Sequence, residues 1–73
     1  MKMKDFERKI NKYFGDGYLV EVVTKDMSFI MTHCQYDDKE VMLFYGDQDN
    51  ERLLAVLPYS EIIEVRRVNG KLK

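Results

Sequence analysis

A single proline divides the most apolar part of this chain and limits what the chain can fold into. Residues 53–57 (LLAVL) have the pattern of a buried strand, and residues 62–68 (IIEVRRV) have the pattern of a second one. Pro58 between them has no N–H for a strand ladder and disfavours a helical residue before it. Residues 59–61 are therefore predicted to form a tight corner, as at the last corner of a small closed barrel.

The N-terminal segment predicts a helix over residues 3–14. Its apolar side chains recur at spacings of three and four, and Gly15 is well placed to end the helix. The opposite face is basic and includes Arg8 and Lys12. This face either contacts phosphate or is the solvated side of a docking helix, and the second is the commoner role of such a charge run.

Three further strands are predicted between the helix and the proline. Residues 18–24 and 41–45 are rich in β-branched and aromatic side chains, and residues 27–36 form a longer, less regular strand. A strand of that length in a small domain is usually strongly bent. Polar turns separate these segments.

The predicted order is one helix followed by five strands joined by short turns. Antiparallel strands in so short a chain bury their apolar faces most readily by curling into a small barrel. We therefore expect a mainly β single domain over residues 1–73. It comprises a helical lid at 3–14, a five-stranded, antiparallel, strongly bent barrel at 18–68 and a frayed tail at 69–73. Whether strand 53–57 pairs only within the chain or exposes an edge to a neighbouring subunit stays open.

Charge and composition limit the classes of protein to which this chain can belong. The chain has 73 residues, with 12 Lys and Arg against 13 Asp and Glu, so no global charge attracts nucleic acid or membrane. One cysteine cannot form an internal disulfide, and no run of apolar residues reaches the length of a membrane span. We expect a reduced, cytoplasmic protein.

No group of residues in the sequence has the pattern of a catalytic or metal site. His33 and Cys34 are adjacent, and neighbours on a strand point to opposite faces, so they cannot act as a base and nucleophile pair. The acidic segments 37–38 and 47–51 lack the internal glycine and closing glutamate of a calcium loop and are better explained as turns. The sequence therefore predicts neither an enzyme nor a cofactor.

The remaining signal is the pair Arg66 and Arg67 in the last predicted strand. Arginine beside surface tyrosines such as Tyr36, Tyr45 and Tyr59 suits stacking and pairing with single-stranded nucleic acid. The same two residue types are common anchors of protein interfaces. Both alternatives stay open.

The layout and the corner resemble the SH3-like barrels of the Sm-like family, in particular the bacterial Hfq proteins. The segment Tyr59-Ser60-Glu61-Ile62-Ile63 stands where Hfq proteins have Tyr-Lys-His-Ala-Ile, and Tyr36-Asp37 matches their aromatic residue followed by aspartate. The resemblance implies a barrel, a homo-oligomer and binding of single-stranded RNA. Ser60 and Glu61 replace the lysine and histidine that contact RNA in that family, so only Tyr59 carries over from the contact motif.

Two functions are therefore predicted. The first is an Sm-like oligomer that binds single-stranded RNA and acts in post-transcriptional regulation. Its candidate RNA-binding residues are Tyr59, Arg66, Arg67, Arg8 and Lys12. The alternative is a small protein-interaction module or inhibitor, of the kind carried by phages and other mobile elements, without nucleic-acid binding.

Overall fold

The structure is a computed structural model that describes residues 1–47 and 49–71, and of residues 69–71 the backbone alone. It has a helix followed by six strands, with a short 3-10 turn before the last strand. These elements are α1 (Met3–Gly15), β1 (Tyr18–Val23), β2 (Ser28–Met31), β3 (His33–Tyr36), β4 (Glu40–Tyr45), β5 (Arg52–Pro58), the 3-10 turn (Tyr59–Glu61) and β6 (Glu64–Lys71). The prediction of a mainly β fold with an N-terminal helix is confirmed.

The strands form two antiparallel sheets of three. Sheet A has the order β2-β1-β6, and sheet B has the order β3-β4-β5. Strands β5 and β6 therefore each lie at the edge of a sheet. Among the described residues no strand pairing joins the two sheets into the closed barrel that the sequence predicts.

The long strand predicted over residues 27–36 is divided between the two sheets. Its first half is β2, its second half is β3, and only Thr32 separates them. The Thr32 N–H donates to the carbonyl of Phe44, 2.9 Å away. The expected strong bend is therefore the place where the chain passes from sheet A to sheet B.

Two predictions near the C-terminus are corrected. Strand 53–57 was expected to be buried, but Leu53 and Val56 are 50% and 45% exposed because β5 is an edge strand with one face in solvent. The last strand begins at Glu64 and continues through residues 69–71, which were expected to be a frayed tail, because these residues extend β6 alongside β1. Residues 72–73 of that predicted tail lie outside the described residues.

The core lies between the inner faces of the sheets and is covered by α1, which packs on β1 and β6. Phe6 from the helix is fully buried, and its ring meets the rings of Tyr36 and Tyr59 edge-on at centroid distances of 5.8 Å. The other fully buried side chains of larger size are Met31, Leu43, Ile62, Val20, Val22, Val41 and Val65. One helical side chain thus joins residues from β3 and from the corner before β6.

A hydrogen bond also ties α1 to sheet B. The Tyr36 hydroxyl donates to Oε2 of Glu7 at 2.7 Å. This bond, together with partial burial and the charge of Glu7, raises the pKa of Tyr36 to about 12. The helix is therefore attached through a polar contact as well as through its apolar stripe.

Candidate functional site

Tyr59, the residue that carries over from the Hfq motif, is not at the surface. Its side chain is 8% exposed, and its hydroxyl donates to the carbonyl of Asp37 at 2.5 Å. Burial raises the pKa of Tyr59, with a smaller contribution from the charge of Asp37. The prediction of a surface tyrosine is wrong here, because the corner turns the ring inward against Phe6. In this position the ring has no free face for a base.

The two arginines of β6 have partners within the chain. Nε of Arg66 lies 2.7 Å from Oε1 of Glu21, and its NH1 nitrogen lies 3.7 Å from Oε2 of Glu64. The hydrogen bond with Glu21 raises the pKa of Arg66, and the same contact lowers the pKa of Glu21. Arg67 lies over the Tyr18 ring, with its guanidinium carbon 5.0 Å from the ring centroid.

The basic side chains on the helix also lie beside acids. An Arg8 guanidinium nitrogen is 3.0 Å from Oδ1 of Asp5, and Nζ of Lys12 is 4.0 Å from Oδ2 of Asp16. Both cations are largely exposed, at 75% and 71%. Three of the predicted RNA contacts, Arg66, Arg8 and Lys12, are thus opposed by neighbouring carboxylates, which weakens the local attraction for phosphate.

His33 and Cys34 lie on opposite faces of β3, as their adjacency predicted. Cys34 pairs across the ladder with the buried Leu43, and burial raises the pKa of its thiol to about 11. His33 faces outward and stacks on Phe44, with 5.0 Å between ring centroids and 6° between ring planes. No proton transfer between the two side chains is possible across the strand.

His33 belongs to a polar network that sequence reasoning missed. Its Nε2 lies 2.7 Å from Oε2 of Glu51, and its Nδ1 lies 3.2 Å from Oγ1 of Thr32. The Thr32 hydroxyl accepts the N–H of Gly46 at 3.0 Å and lies 2.9 Å from its carbonyl oxygen. The network fixes the β4–β5 loop to the start of β3. Glu51 is 18 positions from His33, so no local pattern indicated the contact.

The acidic segments form turns, as predicted. Oδ1 of Asp37 accepts the N–H groups of Lys39 and Glu40 at 2.8 and 2.9 Å, which lowers its pKa. Oδ1 of Asp47 accepts the N–H of Asp49 at 3.1 Å. Within the described part of the chain, no three His, Cys, Asp or Glu side chains are placed to hold one metal ion.

The outer face of sheet B is apolar along β4 and β5 and polar along β3. Opposite residues on neighbouring strands share a face, and the pairs Val41–Leu57 and Cys34–Leu43 point to the core. The alternate positions on β3 and β4 point outward, and a register shift in the β4–β5 pairing brings both Val56 and Leu53 opposite them, which gives two rows across the sheet. These rows are Gln35, Met42 and Val56, and His33, Phe44 and Leu53. Val56 and Leu53 are about half exposed, so the face is open to solvent.

The outer face of sheet A differs in its chemistry. Glu21 on the central strand pairs with Arg66 on one side and with Ile30 on the other. The ion pair between Glu21 and Arg66 therefore occupies the middle of this face. Ile30 is 43% exposed and lies opposite the charged Glu21 rather than opposite an apolar residue.

The two ends of the apolar face carry acidic turns. The chain from residue 33 to residue 58, which forms sheet B, has six acidic and two basic residues, a net charge of −4. The β3–β4 turn borders a cavity of about 190 Å³ that includes Asp37, Glu40 and Met42. The β4–β5 loop borders another of about 420 Å³ that includes Asp47 and Glu51.

The largest of these depressions lies elsewhere. It has a volume of about 460 Å³ and lies between the β1–β2 turn and the 3-10 turn. Its wall includes Met27 and Ile63, which are 60% and 63% exposed. Its rim has charges of both signs, from Lys25, Asp26 and Glu61, so the depression does not select a ligand by charge.

Comparison of the chain with protein-family models, with curated proteins and with solved structures finds no match. In the part of the chain that the structure describes, no helix has the length and apolar character needed to cross a bilayer. The surfaces of the molecule are therefore the guide to its function.

Proposed function

We propose that this protein is a small β-rich module that binds a partner protein through the outer face of sheet B. The observation that carries the proposal is the apolar chemistry of that face, where Phe44 and Leu53, and likewise Met42 and Val56, are direct cross-strand neighbours. An antiparallel sheet with one face in water normally places polar side chains there. The outer face of sheet A has the Glu21–Arg66 ion pair at its middle, whereas the corresponding positions on β4 and β5 of sheet B are apolar.

Binding through this face has a clear energetic basis. Leu53 and Val56 each keep about half of their surface in water, and removing it would contribute about 1 kcal/mol per side chain. Phe44 and Met42 lie between these residues and the rest of the sheet, so the patch is continuous. Contiguous apolar surface on a small domain is typical of an interaction site.

The second candidate is the Sm-like homo-oligomer that binds single-stranded RNA. It is supported by the position of the 3-10 turn before the last strand and by the edge positions of β5 and β6, which suit pairing with further copies. This candidate includes closure of the strands into a five-stranded barrel. The burial of Tyr59 and the acidic neighbours of Arg66 weigh against its RNA contacts.

Site-specific photo-crosslinking tests the first candidate. A photoreactive phenylalanine analogue is placed at Val56 in one variant and at Ile30 in a control variant, and both are expressed in cells that carry the gene. These positions have similar exposure, 45% and 43%, on different sheets. We expect a discrete protein adduct from position 56 that is absent from position 30. Adducts of equal yield at both positions, or at neither, would contradict the proposal.

Native mass spectrometry of the purified protein tests the second candidate. The ratio of its ultraviolet absorbance at the nucleic-acid maximum to that at the protein maximum is a second readout, which detects bound RNA. A closed ring with bound RNA, lost on Arg66→Ala with Arg67→Ala and at high salt, supports the Sm-like function. A monomer without nucleic acid rejects it and leaves the first candidate standing.

A further inference from the structure

We infer that the partner segment is a cationic amphipathic helix that lies along β4 and β5 on the outer face of sheet B. This inference rests on the proposed function and specifies the partner's chemistry. It follows from the width of the apolar patch, the positions of the acidic turns and the charge of this part of the chain.

The width of the patch fits a helix. Its apolar side chains come from two neighbouring strands, with Met42 and Phe44 on β4 and Leu53 and Val56 on β5. Two strands spaced about 4.8 Å apart present a surface roughly 10 Å across, which is the diameter of a helix with its side chains. A helix laid along the strands would cover both rows, as helices cover sheets in layered domains.

The length of the patch sets the length of the helix. Strand β4 has six residues, so the acidic β3–β4 turn and the acidic β4–β5 loop lie at opposite ends of it, about 20 Å apart. A helix of about 13 residues spans that distance. Basic residues in its first and last turns would reach the carboxylates at the two ends.

The carboxylates at both ends are exposed and charged. Asp38 and Glu40 lie at one end, Asp49 lies at the other, and all three residues are exposed. Asp37 accepts two backbone N–H groups, which keep its carboxyl ionised. The cavity of about 190 Å³ beside the β3–β4 turn has no Lys or Arg among the described residues of its wall and offers room for a cationic side chain, whereas the cavity of about 420 Å³ beside the β4–β5 loop already contains Arg52.

The same charges disfavour other occupants. Phosphate groups of RNA or of an anionic membrane would approach a region of net charge −4. A neutral apolar partner would cover the centre of the face but would add no cation beside the acidic turns, where six acidic residues outnumber Lys39 and Arg52. An apolar stripe flanked by cations complements both the centre and the ends of the face.

Peptide binding tests the inference directly. The probe is a fluorescent 14-residue helical peptide with a leucine stripe and lysines in its first and last turns, and its counterpart has glutamate at every lysine. Binding to the full chain is followed by fluorescence anisotropy at low and high salt. We expect the lysine peptide to bind at least tenfold more tightly than the glutamate peptide, and its affinity to fall as salt rises.

Variants locate the binding face. The double substitution Leu53→Gln with Val56→Gln should lower the affinity for the lysine peptide at least tenfold. The control substitution Ile30→Gln, on sheet A, should change that affinity by less than twofold. The salt dependence of this affinity should decrease in the triple variant Asp38→Asn, Glu40→Gln and Asp49→Asn. It should not change in the control variant Asp26→Asn with Glu61→Gln. Circular dichroism of every variant checks that it is folded.

Three results of the peptide experiments would overturn the inference. They are equal binding of the two peptides, an unchanged affinity in the Leu53→Gln and Val56→Gln variant, and a dimer of this chain that this variant abolishes. If crosslinking at position 56 captures a protein through a neutral or acidic segment, the inference fails while the proposed function stands. If crosslinking captures nothing at position 56, the proposed function itself fails.

Discussion

At Gly46 the backbone leaves β4 with a φ of +128°, a conformation that side chains with a Cβ rarely adopt. A Cβ on this residue would collide with the carbonyl oxygen of Asn50 and would lie 2.9 Å from Cα of Glu51. The N–H and the carbonyl of Gly46 are both held by the Thr32 hydroxyl. This one residue therefore sets the path of the β4–β5 loop.

Gly46→Ala is expected to lower the free energy of unfolding by about 2 kcal/mol or more, because strain and a backbone collision add together. Urea-induced unfolding followed by circular dichroism measures the change. Gly15→Ala is the matched control, since a Cβ there meets nothing within 4 Å and the residue ends a helix. That control should be neutral or up to about 1 kcal/mol more stable. If the two substitutions changed the free energy of unfolding equally, the loop would be able to accommodate a Cβ at residue 46 without strain, and the expectation would be wrong.

The sequence predicted the roles of some residues and not of others. The turn roles of Asp37 and Asp47 followed from local chemistry, since each carboxylate binds N–H groups two or three positions away. The burial of Tyr59 and the pairing of His33 with Glu51 depend on residues far away in the chain. Local spacing in the sequence does not predict such contacts. The outer face of sheet B also depends on which strands pair with each other, and for the same reason it was not predicted as a site.

At the scale of the elements, the attachment of α1 depends on a few contacts. The Phe6 ring lies among core aromatics, and Tyr36 donates a hydrogen bond to Glu7. An isolated helix of 13 residues is marginal in water, so this packing is what stabilises it.

Tyr36→Phe is expected to cost about 1 kcal/mol of unfolding free energy, because the ring stays and the hydrogen bond to Glu7 is lost. The wild-type protein should also lose stability as pH rises from about 10 to about 12. In that window the folded state, with a Tyr36 pKa of about 12, holds a proton that the unfolded chain has released. The raised pKa values of Cys34 and Tyr59 act in the same direction, so Tyr36→Phe should reduce this loss without abolishing it. Denaturant unfolding at pH 8, 10 and 11 measures both effects.

Tyr45→Phe provides the control for this change, because Tyr45 is 45% exposed on β4. It should alter stability by less than about 0.5 kcal/mol and leave the pH dependence intact. A Tyr36→Phe variant that loses stability with pH as steeply as the wild type would show that another group carries the effect.

Helix and strand positions were predicted well because they depend on local periodicity. Each of the five predicted strands overlaps a strand of the structure, and the long one is divided at Thr32. The exposure of β5 was not predictable from its apolar sequence, because an edge strand and a central strand can have the same composition. The arrangement of the strands in sheets depends on pairings between distant segments.

At the scale of the whole molecule, the outer patch on sheet B is expected to contribute little to stability compared with the core. Leu53→Lys with Val56→Lys should leave the free energy of unfolding within about 1 kcal/mol of the wild type, because both side chains are half exposed. Leu43→Ala, in the fully buried core, should cost about 2–5 kcal/mol. Thermal and urea unfolding of the two variants measures the contrast. A loss of more than about 2 kcal/mol in the double lysine variant would mean that the patch supports the fold.

The pairing of β1 with β6 also governs how the chain can fold during its synthesis. Helix α1 and β1 leave the ribosome before β6, which is one of the two ladder partners of β1 and places Arg66 opposite Glu21. The apolar side of α1, with Phe6 and Ile10, has no finished surface to cover until that strand arrives. The part of the core under α1 is therefore completed only when β6 joins sheet A, through contacts of high sequence separation of the kind that slow folding.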